Sequence, residues 1–327
     1  MRKPIPQFSS SFDSKDAEAV AEVIRSGWVS QGPLTRTFEH KIASIMGYKY
    51  GVATVNGTVA ISLALMASNV GQDETVYVPD LTFVGTANAV KMIGATVKFA
   101  DIKETNFCAE FIDVSVALNG RKAETYTVLD AAQALGSNVG TLAKVATLSF
   151  APNKIITTAQ GGMVMTDDRE IVEKVRRLTD HGRLDKGDVH PSFGFNAKFT
   201  DIQAALGLSQ LDKLQLRRER RRQRFRQYQE ELSGLGLVIG KARDGEELWN
   251  QDILVEKREA LMFRLMKLGI ETRPFYKPLH TQPAYRTDEH FPITEKISAT
   301  GLWLPSSPDL TSEEVSYVSE SIRKSLN

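Results

Sequence analysis

The stretch SFAPNKIITTAQGGMV, residues 149–164, decides how the chain is read. Before it lies an apolar run, VATLSF (145–150), rich in β-branched and aromatic residues as a buried strand is. A Pro152-Asn153 turn follows, then Lys154, and after Gln160-Gly161-Gly162 a second apolar run, GGMVMTD (161–167). A lysine just beyond a buried strand and a tight turn is placed to sit inside a cleft. Desolvation and nearby positive charge there lower its pKa and make its amine a nucleophile toward an aldehyde. Taken singly, a lysine in such a position is more often a surface residue, so its meaning rests on its surroundings.

Working outward, short apolar runs recur: GVATVN (51–56), TVYVP (75–79), TVKFADI (96–102) and TYTVLDA (125–131). Helical segments separate several of them, including one from Thr58 to about Ser68. Strands alternating with helices predict an α/β domain with a mostly parallel sheet, whose ligands sit at the carboxyl ends of the strands. Two helices precede this domain. Residues 12–26 carry Ala17, Val20, Val23 and Ile24 on one face, with Asp13 or Ser14 to cap them and Gly27 to end them. Residues 34–46 form the second. After it, residues 201–234 are expected to form one long helix with an Arg-rich run, Arg217 to Arg226, as a solvated connector to a smaller C-terminal α/β domain. The division falls near residue 215: an N-terminal segment and large domain over 1–215, and the connecting helix with the small domain over 216–327.

Three strand ends carry groups that suit one cofactor. TYTVLD ends in Asp130, and a carboxylate at the end of an apolar strand is costly unless paired. It suits the protonated pyridine nitrogen of pyridoxal 5′-phosphate (PLP), where it keeps the ring an electron sink. A helix cap is another reading; a metal ligand is disfavoured because no His or carboxylate cluster accompanies it. GVATVN ends in Asn56-Gly57-Thr58 where a helix begins, and helix N-termini hold phosphate. Asn-Gly-Thr is also a common turn and cap. Ser149 and Lys154 lie at a third strand end. One ring needs a phosphate cup, an acidic partner and an amine, and all three types of group lie at strand ends of one domain.

Bulk properties narrow the class. Of 327 residues, 42% are hydrophobic and 25% charged, with net charge +1, so no overall field favours nucleic acid or a membrane surface. A single cysteine, Cys108, excludes a disulfide framework or cysteine-based zinc site within one chain. The first residues, MRKPIPQFSSSFDSKD, lack the apolar centre of a signal peptide, and no stretch is long and apolar enough to span a bilayer. A cytoplasmic enzyme without metal is the expectation.

An ordered set of motifs carries a family likeness: SGWVSQGP (26–33), VNGTVAISLAL (55–65), PDLTFVGTANAV (79–90), LDAAQALG (129–136), SFAPNKIITTAQGGMV (149–164), HGR (181–183), GFNAKFTDIQAALGLSQL (194–211), ETRPFYKPLH (271–280) and LPSSPDLTSEEV (304–315). With these the chain resembles the DegT–StrS family of PLP-dependent nucleotide-sugar aminotransferases, nearly end to end. The resemblance implies the fold type I PLP architecture. It implies that Lys154 is the Schiff-base lysine and proton shuttle, that Asp130 pairs with the pyridine nitrogen, and that Gln133 lies against the ring's phenolic oxygen. Thr58, the Gly57 backbone and Ser149 hold the phosphate, and Phe83 stacks on the ring. Asn196 reaches the phosphate from a neighbouring subunit, implying a homodimer with shared active sites. Trp28 and His280 line the sugar-nucleotide site, and the amino donor is glutamate.

Three departures stand out: Gln160 replaces a frequent acidic residue, Asn196-Ala197-Lys198 replaces Asn-Tyr-Arg, and the space between Asp101 and Asp130 is short. Relatives carry there a strand ending near His-x-Tyr-Gly and a helix. Here NFCAEFIDVSVALNGRKAETY (106–126) fills it, so the sheet is expected to lack one strand or to pair differently. A sugar dehydratase on the same fold is an alternative, but such relatives carry histidine at the Lys154 position. A non-catalytic binding or regulatory protein is another, opposed by the intact set of Lys154, Asp130 and Ser149.

Overall fold

A computed structural model describes residues 3–102, 113–118, 121–137, 143–183, 187–240 and 250–326. Cys108 lies outside these residues. In chain order the elements are α1 (Ser14–Ser26), α2 (Pro33–Met46), β1 (Tyr50–Thr54), α3 (Gly57–Ala67), β2 (Thr75–Pro79), α4 (Val84–Met92), β3 (Thr96–Ala100), β4 (Asp113–Leu118), β5 (Arg121–Asp130), β6 (Val145–Ser149), β7 (Gly162–Thr166) and α5 (Arg169–Thr179). There follow α6 (Asp201–Leu211), α7 (Leu214–Glu231), β8 (Val238–Ile239), β9 (Gln251–Leu254), α8 (Arg258–Lys267), β10 (Arg273–Pro274), α9 (Pro292–Thr300), β11 (Gly301–Leu304) and α10 (Ser312–Leu326).

The large sheet has seven strands in the order β1-β7-β6-β5-β4-β2-β3. The pairings β5–β6 and β2–β3 are parallel; those of β4 and β7 with their neighbours are antiparallel. Five strands therefore point one way, as expected, and β4 and β7 point the other. The short segment before Asp130 does not remove a strand from the sheet. It reverses one: β4 runs antiparallel between β2 and β5, with Leu118 opposite Arg121. A parallel neighbour needs a long crossover, whereas an antiparallel one needs only a hairpin. The two residues between these strands are Asn119-Gly120, the strongest short hairpin signal a sequence carries.

Packing follows the apolar pattern. Two buried clusters lie in the large domain, one built on α3, α4 and α5 and the other on α2, β6 and β7. Seven of the eleven residues of α3 are buried, which matches its almost unbroken apolar sequence. On β2, by contrast, Val76 and Val78 are buried while Tyr77 is exposed, and on β3 Thr96 and Lys98 are exposed. That alternation suits a sheet edge with one solvated face.

Asp13 caps α1 in a reciprocal capping box with Asp16, and Gly27 ends the helix in the left-handed region at φ 75°. The long helix expected over 201–234 is two helices, α6 and α7, parted at Asp212-Lys213. The Lys213 amine is drawn to Asp13 and Asp16 at 2.7 Å each, so the chain bends where it is tied to the start of α1. Nor is the Arg-rich run simply solvated. Arg217 is buried and donates to the carbonyls of Ile155 and Ser11 at 2.9 and 2.8 Å. Arg224 donates to the carbonyl of Leu310 at 2.8 Å. These cations tie α7 to the two domains.

The small sheet, β10-β11-β9-β8, has its own core of Tyr228, Leu232, Ile253, Leu302 and Val315. Ile5 joins that core and exchanges backbone hydrogen bonds with Gly269 and Glu271, so the first residues pack with the C-terminal unit. Among the described residues no helix is long and apolar enough to cross a membrane.

Asp201, at the start of α6, is buried and accepts from the amides of Gly32, Leu34 and Thr35 and from the Thr35 hydroxyl at 2.7 to 3.2 Å. It thus holds the turn after α1 and the N-terminus of α2. Asp201→Ala leaves these donors unsatisfied and is expected to lower the unfolding free energy by about 3 kcal/mol in urea titrations. Asp201→Asn is expected to recover part of that loss.

Candidate active site

Asp130 is the last residue of β5 and Ser149 the last of β6, and the two strands are parallel, with Asp130 opposite Thr147. Both therefore emerge at the same edge of the sheet. The loop that follows Ser149 is closed by backbone bonds from Phe150 to Gly161 and from Thr158 to Phe150. Within it the Lys154 amide donates to Ala151, a tight turn that returns the lysine to the strand edge. Thr86 Oγ1, on α4, donates to Asp130 Oδ2 at 2.7 Å, and the Ala132 amide donates to Oδ1 at 3.2 Å.

The two groups are electrostatic neighbours. Burial lowers the pKa of Lys154 to about 8; the charge of Arg273 acts in the same direction and that of Asp130 opposes it. Burial also raises the pKa of Asp130, against the Thr86 and Ala132 hydrogen bonds and the charge of Lys154. Both side chains line the cleft rather than the sealed core, for each keeps partial surface exposure. An amine with a lowered pKa beside a desolvated carboxylate is what a Schiff-base lysine and a pyridinium partner require.

The N-terminus of α3 lies at the end of β1, beside Ser149. Asn56 caps α3, accepting from the Val59 amide at 2.9 Å, so the Gly57 and Thr58 amides stand at the open N-terminus. A Cβ on Gly57 would lie 2.9 Å from Cβ of Ser149, and one on Gly162 would lie 2.2 Å from the Asn56 carbonyl oxygen. Only glycine permits this approach of β1, β6 and β7. Gly85 at the start of α4 is equally tight, 2.8 Å from Thr58 Oγ1. The residues present therefore fit PLP: a cup at Gly57, Thr58 and Ser149, a buried acid at Asp130 and an amine at Lys154.

The remaining expected residues are more dispersed. Gln133 is exposed in the turn just past Asp130. Phe83 is 53% exposed, with its ring centroid 5.7 Å from that of Tyr276. Asn196 is exposed on a segment that bridges Asp180 and runs beside the end of β1, where the Ala197 carbonyl accepts from the Val55 amide at 3.2 Å. Trp28 is 57% exposed and lines a groove of about 880 Å³ with Arg36, Arg183 and Asp201. His280 is buried: its backbone amide and Nδ1 bond the carboxylate of fully buried Asp80 at 2.7 and 2.6 Å. The structure thus places His280 as a tie between the domains rather than on an open wall. Thr86 bonds Asp130, Gly85 packs on Thr58, Tyr276 meets Phe83 and the charge of Arg273 acts on Lys154, yet none of the four was singled out from the sequence. All four lie within quoted motifs, PDLTFVGTANAV and ETRPFYKPLH, and that was the available signal.

Residues 10–128 and 120–323 match the profile described as the DegT/DnrJ/EryC1/StrS aminotransferase family. The two matched pieces meet at the β4–β5 hairpin. GDP-perosamine synthase of Escherichia coli O157:H7 is 32% identical over 358 aligned residues, covering 98% of each chain. That span exceeds the 327 residues of this chain, so the relative carries residues that are absent here. The solved aminotransferase TlmJ from Streptoalloteichus hindustanus is similar with a TM-score of 0.89 at 27% identity, covering 99% of both chains. DesI, solved in the presence of its TDP-sugar product, is similar with a TM-score of 0.87 at 25% identity, covering 100% of this chain and 94% of that one.

The lowered pKa of Lys154 has a stability signature. Between about 8 and the ordinary 10.5 the folded cofactor-free chain binds fewer protons than the unfolded chain, so this lysine's contribution to stability rises with pH across that window and is unfavourable below it. The unfolding free energy of wild type minus that of Lys154→Met is expected to grow from pH 8 to 10.5. A difference that stays flat would refute the depressed pKa.

Proposed function

The chain belongs to the DegT/DnrJ/EryC1/StrS aminotransferase family, and from that premise we propose that it moves an amino group from glutamate to a keto-deoxy-sugar carried on a nucleoside diphosphate, at C4 as in perosamine synthesis. As a member it is a PLP-dependent sugar aminotransferase with the fold type I architecture. The observation that carries the proposal is the parallel pairing of β5 with β6, which brings Asp130 and the loop bearing Lys154 out at one edge of the sheet, where the charge of each acts on the other. The perosamine synthase relative supports the choice of sugar.

Bound PLP supplies an aldehyde and a ring that stores the electron pair released at the donor's α-carbon. The protein's part is proton handling and positioning. Asp130 holds the proton on the pyridine nitrogen, its carboxylate aimed by Thr86 and Ala132. Lys154 Nζ takes the proton from the donor's α-carbon, and a pKa near 8 keeps a useful fraction of the amine neutral at neutral pH. Gly57, Thr58 and Ser149 anchor the phosphate, Phe83 covers the ring face and Gln133 meets the phenolic oxygen. Trp28 borders the sugar-nucleotide site.

Two copies form the working unit in this proposal, with Asn196 reaching the neighbour's phosphate. Val189, Phe193 and Phe195 expose apolar side chains on the same segment, which supports such pairing. The sugar-dehydratase alternative is disfavoured because Lys154 stands where that chemistry has histidine.

Lys154→Ala is expected to abolish the visible absorbance of the lysine-bound cofactor and to lower turnover by more than about 10³-fold. Full activity in this variant would sink the assignment. Enzyme loaded with pyridoxamine phosphate and offered GDP-, TDP- and UDP-linked 4-keto and 3-keto sugars is expected to regain that absorbance fastest with a 4-keto-6-deoxy sugar on GDP.

A further inference from the structure

We infer that Ser10 is a positioning residue for Lys154: its hydroxyl fixes the turn that presents the lysine to the cleft. This rests on the reading above that Lys154 moves the proton in both half-reactions. Residues 151–154 make a four-residue turn, closed by the Lys154 amide on the Ala151 carbonyl at 3.0 Å. Pro152 stands second in it, where its fixed φ favours a turn. Ser10 Oγ donates to the Pro152 carbonyl at 2.5 Å.

That carbonyl belongs to the peptide between Pro152 and Asn153, the central one of the turn. The two common turns with proline in second place share the closing hydrogen bond and differ by a flip of this central peptide. The closing bond therefore does not choose between them. Nor does the third residue, for asparagine enters the left-handed region more readily than most residues do. A donor fixed outside the turn does choose, because it holds the carbonyl on its own side. The choice reaches Lys154, whose backbone follows directly on the Asn153 torsions that a flip would change.

Ser10 can hold the turn because it is itself held. The Gln7 carbonyl accepts from the Ser306 amide at 2.9 Å, and the Ser9 amide donates to Ser307 Oγ at 2.7 Å, both just past β11 in the small domain. The Ser11 carbonyl accepts from Gln210 Nε2 at 3.0 Å and from Arg217 at 2.8 Å. Residues 7–11 are thus a strap, anchored on the small sheet at one end and on α6 and α7 at the other. Arg217 also donates to the Ile155 carbonyl at 2.9 Å. The lysine is bracketed: Ser10 holds the carbonyl two residues before it, and the arginine that anchors Ser11 holds the carbonyl just after it. Arg217 and Ile155 are buried, whereas the bond from Ser10 to Pro152 lies at the surface. Ser10 is therefore the point where support for the lysine can be removed without opening the core. The strap fixes the root of the side chain rather than its tip, so its loss costs less than the loss of the amine.

Half-reactions of the holoenzyme test this. In Ser10→Ala, cofactor conversion at saturating glutamate is expected to slow about 10-fold. Return of the absorbance from pyridoxamine-loaded enzyme, with the keto-sugar that the wild type uses fastest, is expected to slow by a similar factor, since one lysine serves both directions. The isotope effect with glutamate deuterated at the α-carbon is expected to be at least as large as in the wild type, because proton transfer is the step impaired. The circular dichroism of the bound cofactor's visible band, which reads how the lysine sets the ring, is expected to change, while the unfolding midpoint stays at the wild-type value. Ser10→Thr keeps the hydroxyl and is expected to recover most of the rate and the wild-type band. Unchanged rates in Ser10→Ala overturn the inference. A fall in one half-reaction alone assigns Ser10 to that substrate and also overturns it. So does a fall with a suppressed isotope effect, or one with a lowered unfolding midpoint and an unchanged visible band, which marks a structural residue. All these outcomes leave the role of Lys154 intact, whereas full activity in Lys154→Ala would sink both.

Discussion

The parallel pairing of β5 with β6 is the constraint on which the site depends. It brings Asp130 and the Ser149–Lys154 loop out of the sheet at one edge and in one direction. Slipping either strand by one residue would turn its side chains to the other face. Reversing β5 would carry Asp130 to the far end. Lys154 and Asp130 matter as a pair because each alters the other's protonation: burial alone favours the neutral form of both, and their mutual attraction opposes it. A cofactor with a cationic ring nitrogen and an electrophilic carbon answers both needs, so the pair identifies its ligand more sharply than either residue could.

Seen from that constraint, the hairpin at β4 is a conservative change. Replacing a strand-and-helix unit by a short segment could have removed a strand and shifted all its neighbours. A reversed strand fills the slot between β2 and β5 instead, and β5 keeps its direction. The alternation along β2 and β3, with Tyr77, Thr96 and Lys98 outward and Val76 and Val78 inward, is the pattern of strands with one wet face.

Much of this was legible in the sequence, and the exceptions have physical causes. Strands ending in Asp130, Ser149 and Asn56 announced themselves because buried β-branched runs with polar ends have few other uses. The direction of β4 was not legible, for the short segment before Asp130 left both a lost strand and a different pairing open. The break between α6 and α7 was not legible, since no glycine or proline marks it. It follows from Lys213 binding Asp13 and Asp16, about two hundred residues away in sequence, and a tertiary tie of that kind overrides helix propensity. Arg217 illustrates the same limit: within a run of like charges, nothing local says which one is buried.

His280, within ETRPFYKPLH, shows what its motif does structurally. Asp80 and Asp101 follow β2 and β3 at the same edge of the sheet as Asp130. Asp80 binds His280, and Asp101 accepts from the amides of Ile293 and Thr294 at the start of α9. The large domain thus grips the small one through two carboxylates, one on an imidazole and one on a helix N-terminus. Just before the first gripped point runs the segment that carries Arg273 and Tyr276, which pairs through β10 with β11. The segment bearing β10 is thus tied to the large domain at its C-terminal end. Within ETRPFYKPLH, Arg273 and Tyr276 belong to an aromatic shelf with Trp303, while Leu279 and His280 bond Asp80. Sequence spacing alone could not divide them, because the division depends on which side chains Asp80 reaches.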